Sequence, residues 1–375
     1  MTVASIVGER ERVMSDDLRR RLGAIREPQL VRGLDELGFL GAVTAGEPPE
    51  VELVLPLLGW ANRAWLEEEI AEVAPGARVR VRSMDEDERL TLRQFLRGEM
   101  VDADDGGAGE PRITGRLSRT RVLGISSGKG GVGKSSVSVN LAIALAQRGR
   151  SVGILDADVY GFSLPRMLGA VNDPIVLGDT VIPTLAHGVR CVSMGYFVPD
   201  AQPVIWRGPM LHKAIEQLVS EVWWDEPDYL VVDMPPGTGD VALTLSEVLA
   251  KVEMYVVTTP QAAAQRVAQR SAYAARTLKL AVRGVIENMS WFTGDDGQRY
   301  ELFGEGGGQR LAEDLGVPLL GQIPFDPRLR AGGDLGDPVV VYEPDSPAAL
   351  ALAALAETID HQGPARIYKR ELTVS

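Results

Sequence analysis

Among 375 residues the chain has one cysteine, Cys191, and three histidines, His187, His212 and His361. A single thiol excludes a disulfide framework and any self-contained multi-cysteine metal site. Three histidines leave no His-rich metal site. No apolar run approaches the roughly 20 residues that a membrane span needs. Met1 to Arg12 has no apolar core ahead of a small-residue cleavage site, so no secretory leader is expected and a cytoplasmic protein is. Positive charge is also short: Lys and Arg number 39 against 52 Asp and Glu, a net charge of −13. Such a chain repels nucleic acid and anionic membrane on average, and neither is expected as a partner. Hydrophobic residues at 45% and charged residues at 24% are ordinary globular values, which excludes wholesale disorder.

The length suits two domains or three. Composition changes near residue 98, where GEMVDADDGGAGEPRITGRLSR (98–119) reads as an acidic, Gly-rich linker. Before it, residues 13–97 form a small α+β domain. Helices are expected at Val13–Ile25, Trp60–Val73 and Asp85–Leu96, and strands at Val51–Leu58 and Ala77–Val81. After it, over 120–362, strand and helix alternate. Strands are expected at Arg121–Ser126, Ser151–Leu155, Val189–Met194, Tyr229–Met234, Glu253–Thr258 and Val282–Glu287. Helices are expected at Lys134–Gln147, Val241–Leu249, Gln261–Leu278 and Gln309–Leu315. Short apolar strands joined by helices predict an α/β, doubly wound, mainly parallel sheet covered on both faces.

Residues Gly128–Ser135 read GKGGVGKS, a full match to the phosphate-loop pattern between a buried strand and a helix. Gly128, Lys129, Gly130, Gly131, Val132 and Gly133 supply inward-facing N–H groups, and the helix N-terminus adds positive potential. Lys134 reaches the β- and γ-phosphates, and the Ser135 hydroxyl can ligate Mg²⁺. Two predicted strands end in carboxylates, Asp156-Ala157-Asp158 and Asp233, where open α/β sheets place ligands. Asp233 fits the second Mg²⁺ position, and Asp156 fits support of the loop or of the metal shell. ATP and Mg²⁺ are the expected cofactors. Taken alone, Lys129 reads equally as a solvated lysine and Asn288 as a turn cap.

The loop K-G-G-x-G-K-S, with its early lysine, resembles the deviant P-loop class that includes the MinD- and ParA-like positioning ATPases. DADVYGFSLPRMLG (Asp156–Gly169), VIWRGPMLH (Val204–His212), DMPPGTGD (Asp233–Asp240), TTPQ (Thr258–Gln261), GVIENMS (Gly284–Ser290) and LLGQIPFDPRLRAGGD (Leu319–Asp334) narrow the match. Together they resemble the Mrp-type iron–sulfur cluster carrier ATPases over 120–360. The N-terminal module resembles the small iron–sulfur assembly domain often fused to them, through ELGFLGAV (Glu36–Val43) and its layout. The resemblance implies an ATP-hydrolysing homodimer that delivers a cluster to apoproteins, with iron–sulfur assembly factors as further partners. It implies that Lys129 crosses to the partner's nucleotide, that Asp158 orients the attacking water, and that Asn288 reads adenine.

The same resemblance places a C-x-x-C pair after ENMS, where two subunits would supply four thiolates. This chain reads WFTGDDGQRYELFG (Trp291–Gly304) there, with a hairpin expected to turn at Asp295–Gly297 and no cysteine. The assembly-like module reads Gly59-Trp60-Ala61 in place of Gly-Cys-Pro, and Glu27-Pro28-Gln29 in place of D-P-E. Cys191, in VRCVSM, is expected to be a buried small hydrophobe. The iron–sulfur ligands are therefore unknown. A carrier is expected first, an ATP-driven switch that has lost cluster binding second, and a positioning ATPase third. ARIYKRELTV (Ala365–Val374) reads as a tail or edge strand, GEGGGQR (Gly304–Arg310) as a helix entry, and Trp223-Trp224 as packing residues.

Overall fold

The computed structural model describes residues 3–98, 113, 118–159, 161–170, 172–197, 208–237, 240–249 and 251–365. Most of the expected linker, residues 204–207 of VIWRGPMLH, Thr238 and Gly239 of PPGTGD, and the tail after Ala365 lie outside them. The chain divides into two compact units: Met1–Gly109 with Val176–Thr180, and Glu110–Ile175 with Val181–Ser375.

In the first unit a three-stranded sheet joins Leu40–Thr44, Glu50–Leu55 and Arg78–Ser83 in that order. Helices run over Val3–Gly23, Arg63–Val73 and Glu86–Arg97. The first helix starts ten residues before Val13. The charged stretch GERER carries no apolar period, but Glu and Arg are good helix formers. The third follows its acidic first turn: Asp85 and Glu88 form a reciprocal capping box.

The second helix starts at Arg63 rather than Trp60, because Trp60 turns inward. Its indole Nε1 donates to Glu27 Oε1 at 3.0 Å, and Asn62 Nδ2 donates to the same oxygen at 2.7 Å. The Leu30 N–H donates to Glu27 Oε2 at 2.5 Å. Glu27 is wholly buried, and Trp60 packs edge-on against Phe39 at 5.5 Å. The two segments that depart from the assembly-domain pattern thus meet each other.

The second unit is built on eight strands: β1 Arg121–Ser127, β2 Val152–Asp156, β3 Thr184–Ala186, β4 Val189–Ser193, β5 Tyr229–Asp233, β6 Val252–Thr258, β7 Ala281–Asn288 and β8 Leu319–Ile323. Their spatial order is β3-β4-β2-β5-β1-β6-β7-β8, parallel except for the edge pair β3–β4. Alternate side chains feed two cores. Leu123 and Ile125 join Val137, Leu141 and Leu145 of helix α1 (Lys134–Gln147) and Leu352 and Leu355 of helix Pro347–Gln362. Val122, Val192 and Val232 join Leu211, Ile215, Val241 and Leu245 on the other face. The chain leaves β1 toward β2 and β4, returns through β5, and then builds outward through β6 to β8. That reversal places a switch point at the C-terminal ends of β1 and its neighbours, where this topology binds ligands.

Candidate nucleotide site

β1 ends at Ser127 and α1 begins at Lys134, so the loop between them caps the switch point. Gly131 and Gly133 have φ of +78° and +80°, in the left-handed region that side chains disfavour. Gly128 is constrained by space instead. A Cβ there would run into the backbone of Val267 and Ala268 in helix Ala262–Thr277.

Three side chains of α1 meet the Asp233 carboxylate, which is 1% exposed. Lys134 Nζ and Ser135 Oγ donate to Oδ2 at 2.5 and 2.6 Å. Ser138 Oγ lies 2.6 Å from Oδ1. Lys134 Nζ also stands 3.6 Å from Asp158 Oδ2. Asp233 and Asp156 are register partners on adjacent strands, as the two predicted strand ends implied. Asp156 takes N–H bonds from Asp158, Ser163 and Leu164 and the Ser193 hydroxyl, so it ties both ends of the Asp158 loop to the sheet. Burial, reinforced by the charge of Asp233, pushes its carboxyl up to about 7. The Gly237 N–H donates to the Ser127 carbonyl at 2.8 Å, which anchors the PPGTGD segment beside the loop.

Asn288, at the end of β7, approaches Gly133. Its Nδ2 donates to the Val132 carbonyl at 2.9 Å, while its buried Oδ1 has no hydrogen-bond partner among the described residues. A cavity of about 410 Å³ opens beside it, lined by Gly133, Ser136, Asn288, Met289, Phe325 and Asp326 among others. Lys129 Nζ donates to Gln261 Oε1 of its own chain at 3.1 Å.

Sequence reasoning missed Ser138, Gln261 as a partner for Lys129, and the Val132 carbonyl as a partner for Asn288. For Ser138 a signal existed: it stands four residues after Lys134, on the same helical face.

The structure brings no thiol to this site. Cys191 is wholly buried in β4, and burial together with Asp156 pushes its thiol pKa up. The predicted hairpin forms, with Phe292–Thr293 antiparallel to Arg299–Tyr300. Its Asp296 accepts from Tyr300 Oη at 2.6 Å and from the Gln298 N–H at 2.9 Å, and Arg299 stacks on Trp291 at 4.4 Å. The glycine-rich entry to helix Gly307–Leu315 is filled by Glu287, whose carboxylate accepts from the Gly308 N–H. Trp223 and Trp224 are buried packing residues. Among the described residues, no three His, Cys, Asp or Glu gather to hold a metal, and no helix is long and apolar enough to cross a membrane.

A phosphate loop at the switch point of a mainly parallel sheet, with strand-end carboxylates facing its lysine, defines a P-loop ATPase. Within that class, residues 118–360 match the model of the NUBPL iron-transfer P-loop NTPases of the ParA group, and the chain belongs to that family. It is 41% identical over 366 residues to an iron–sulfur cluster carrier protein of Mycobacterium tuberculosis, covering 93% of this chain and 94% of that one. It is 41% identical over 321 residues to one of Bacillus subtilis, covering 84% and 88%. Among solved structures, a nucleotide-binding protein from Archaeoglobus fulgidus in complex with ADP is 34% identical with a TM-score of 0.54, covering 62% of this chain and 93% of that one. The cell-division ATPase MinD of Pyrococcus furiosus is 26% identical with a TM-score of 0.50, covering 65% and 99%, and shares the fold family.

Proposed function

We propose that the protein is a Mg²⁺-dependent, homodimeric ATPase of iron–sulfur cluster transfer, acting on apoprotein clients or assembly factors. The observation that carries this reading is the convergence of Lys134 and Ser135 on Asp233, with Asp158 facing the same lysine, in a chain so similar to iron–sulfur carriers. A cytoplasmic setting suits it.

In this reading the loop N–H groups of Gly128–Gly133 wrap the phosphates, and Lys134 moves from Asp233 to the phosphate oxygens. Ser135 and Asp233 fit Mg²⁺: both offer hard oxygens, and the point they share is taken in the free protein by an ammonium cation. When bound, the ion would neutralise charge on the phosphate oxygens. Asp158 orients water. Lys129 leaves Gln261 to stabilise charge on the partner's nucleotide. Asn288 reads the base: with Nδ2 committed to Val132, its orphaned Oδ1 is set to accept from an exocyclic amine such as that of adenine. The domain division at 98–119, with an assembly-like module before it, belongs to the same proposal.

The cluster is cargo, and this chain's side chains do not fit it as ligands. Its one thiol is sealed inside the sheet, and the hairpin offers Asp295 and Asp296, poor donors to iron–sulfur iron. That observation favours a second reading in which the ATPase acts as a switch on partners that hold the cluster. Lys134→Ala abolishes hydrolysis under both readings, and unchanged turnover would sink the site assignment. Anaerobic reconstitution with iron and sulfide separates them. A stoichiometric chromophore per dimer supports the carrier, and absorbance equal to a Cys191→Ser control supports the switch.

A further inference from the structure

The phosphate-loop motif ends at Ser135, yet the next turn of α1 carries another polar side chain aimed at the same carboxylate. Ser138 is wholly buried between Val137 and Val139. Its Oγ lies 2.6 Å from Asp233 Oδ1 and 3.1 Å from the Lys134 carbonyl. A hydroxyl has one proton, and the shorter contact to a charged acceptor claims it. The two oxygens of Asp233 are thereby distinguished: Oδ1 faces Ser138, and Oδ2 faces Lys134 and Ser135. A carboxylate held at only one oxygen could turn about its Cβ–Cγ bond, whereas this one is held at both.

We infer that Ser138 is a positioning residue for the metal-bound nucleotide, fixing Asp233 so that Oδ2 is presented beside the Ser135 hydroxyl. The inference rests on the reading of Asp233 as a Mg²⁺ holder. Ser138 acts through Asp233 and touches neither phosphate nor metal. Its effect should therefore appear only in the part of nucleotide binding that depends on Mg²⁺.

The test uses the full chain and a fluorescent ADP analogue, titrated with Mg²⁺ and again with EDTA, for wild type, Ser138→Ala, Ser138→Thr and Asp233→Asn. In Ser138→Ala the gain in affinity on adding Mg²⁺ should shrink about tenfold, while affinity in EDTA stays within twofold. Ser138→Thr keeps the hydroxyl and should keep the gain. An undiminished gain in Ser138→Ala overturns the inference. So does an equal loss with and without Mg²⁺, which marks a packing role, or a Thr variant as impaired as the Ala variant. Asp233→Asn tests the underlying reading separately: if it keeps the full Mg²⁺ gain, the metal assignment itself falls. If Asp233→Asn loses the gain and Ser138→Ala keeps it, only the role of Ser138 falls.

Discussion

Raising the pH should loosen the nucleotide-free ATPase unit through one buried carboxyl. Asp156 is wholly buried at the end of β2 and register-paired with Asp233. Its folded pKa is about 7, against 3.8 for an unperturbed Asp. Between those values the folded chain keeps a proton that the unfolded chain has released, so protons favour folding there. The contribution is complete below about pH 4 and is lost as pH rises through about 7. At about 1.4 kcal/mol per pH unit, the linked stability is about 4 kcal/mol, of which about 3 kcal/mol falls above pH 5. For a unit of this size that is on the order of 10 °C in Tm. The assay is calorimetry of the nucleotide-free protein from pH 5 to 8, wild type against Asp156→Asn. The amide leaves one of the four donors around Asp156 mispaired, a roughly constant loss of about 1–3 kcal/mol. It carries no titrating proton, so the advantage of wild type should fall by about 3 kcal/mol as pH rises, closing or reversing the gap between the two proteins. Parallel curves would refute the reasoning.

Gly128→Ala should lower ATP turnover by about 100-fold, since the loop must move off the backbone of Val267 and Ala268 and a displacement near 1 Å is that damaging to reacting geometry; a steady-state phosphate-release assay checks it, and wild-type turnover would count against the packing argument. Lys129→Ala should lower turnover by on the order of a thousandfold if the lysine acts across the dimer. Normal hydrolysis together with normal dimerisation on sizing would end the crossed-lysine proposal. Asn288→Ala should narrow the preference for ATP over GTP by about tenfold in competition binding, while an unchanged ratio would remove Asn288 from base reading.

Contiguous signals were legible in the residues, and relations across the sheet were less so. The phosphate loop could be read because its glycines, Lys134 and Ser135 are consecutive and sit between a strand and a helix. The apolar runs of β1, β2, β5 and β6 announced a buried parallel sheet, since both faces are covered. β3 escaped notice: three residues at an edge, antiparallel to β4, carry too short a pattern to separate from a turn. So did β8, whose LLGQI is only partly buried. Within the site, Gln261 is 132 residues from Lys129 and meets it only because β6 lies beside β1. The Val132 carbonyl was invisible for another reason: a main-chain acceptor leaves no mark on residue identity. Ser138 carried a signal in its spacing from Lys134, but within an apolar helix a serine also reads as a small filler until its carboxylate partner is in place.

The indole–carboxylate contact in the first unit bears on how this module could change by mutation. Trp60 joins Asn62 and the Leu30 N–H in donating to a Glu27 that has no access to water. Introducing a thiol through Trp60→Cys would therefore do two kinds of damage at once, opening a void beside Phe39 and removing a donor from a buried acid. Changing Glu27 first strands the indole N–H instead. The two positions form an epistatic pair, each fitted to the other's present side chain. A double-mutant cycle on them should return a coupling of about 1–3 kcal/mol, a barrier to placing a cysteine at position 60 in a single step.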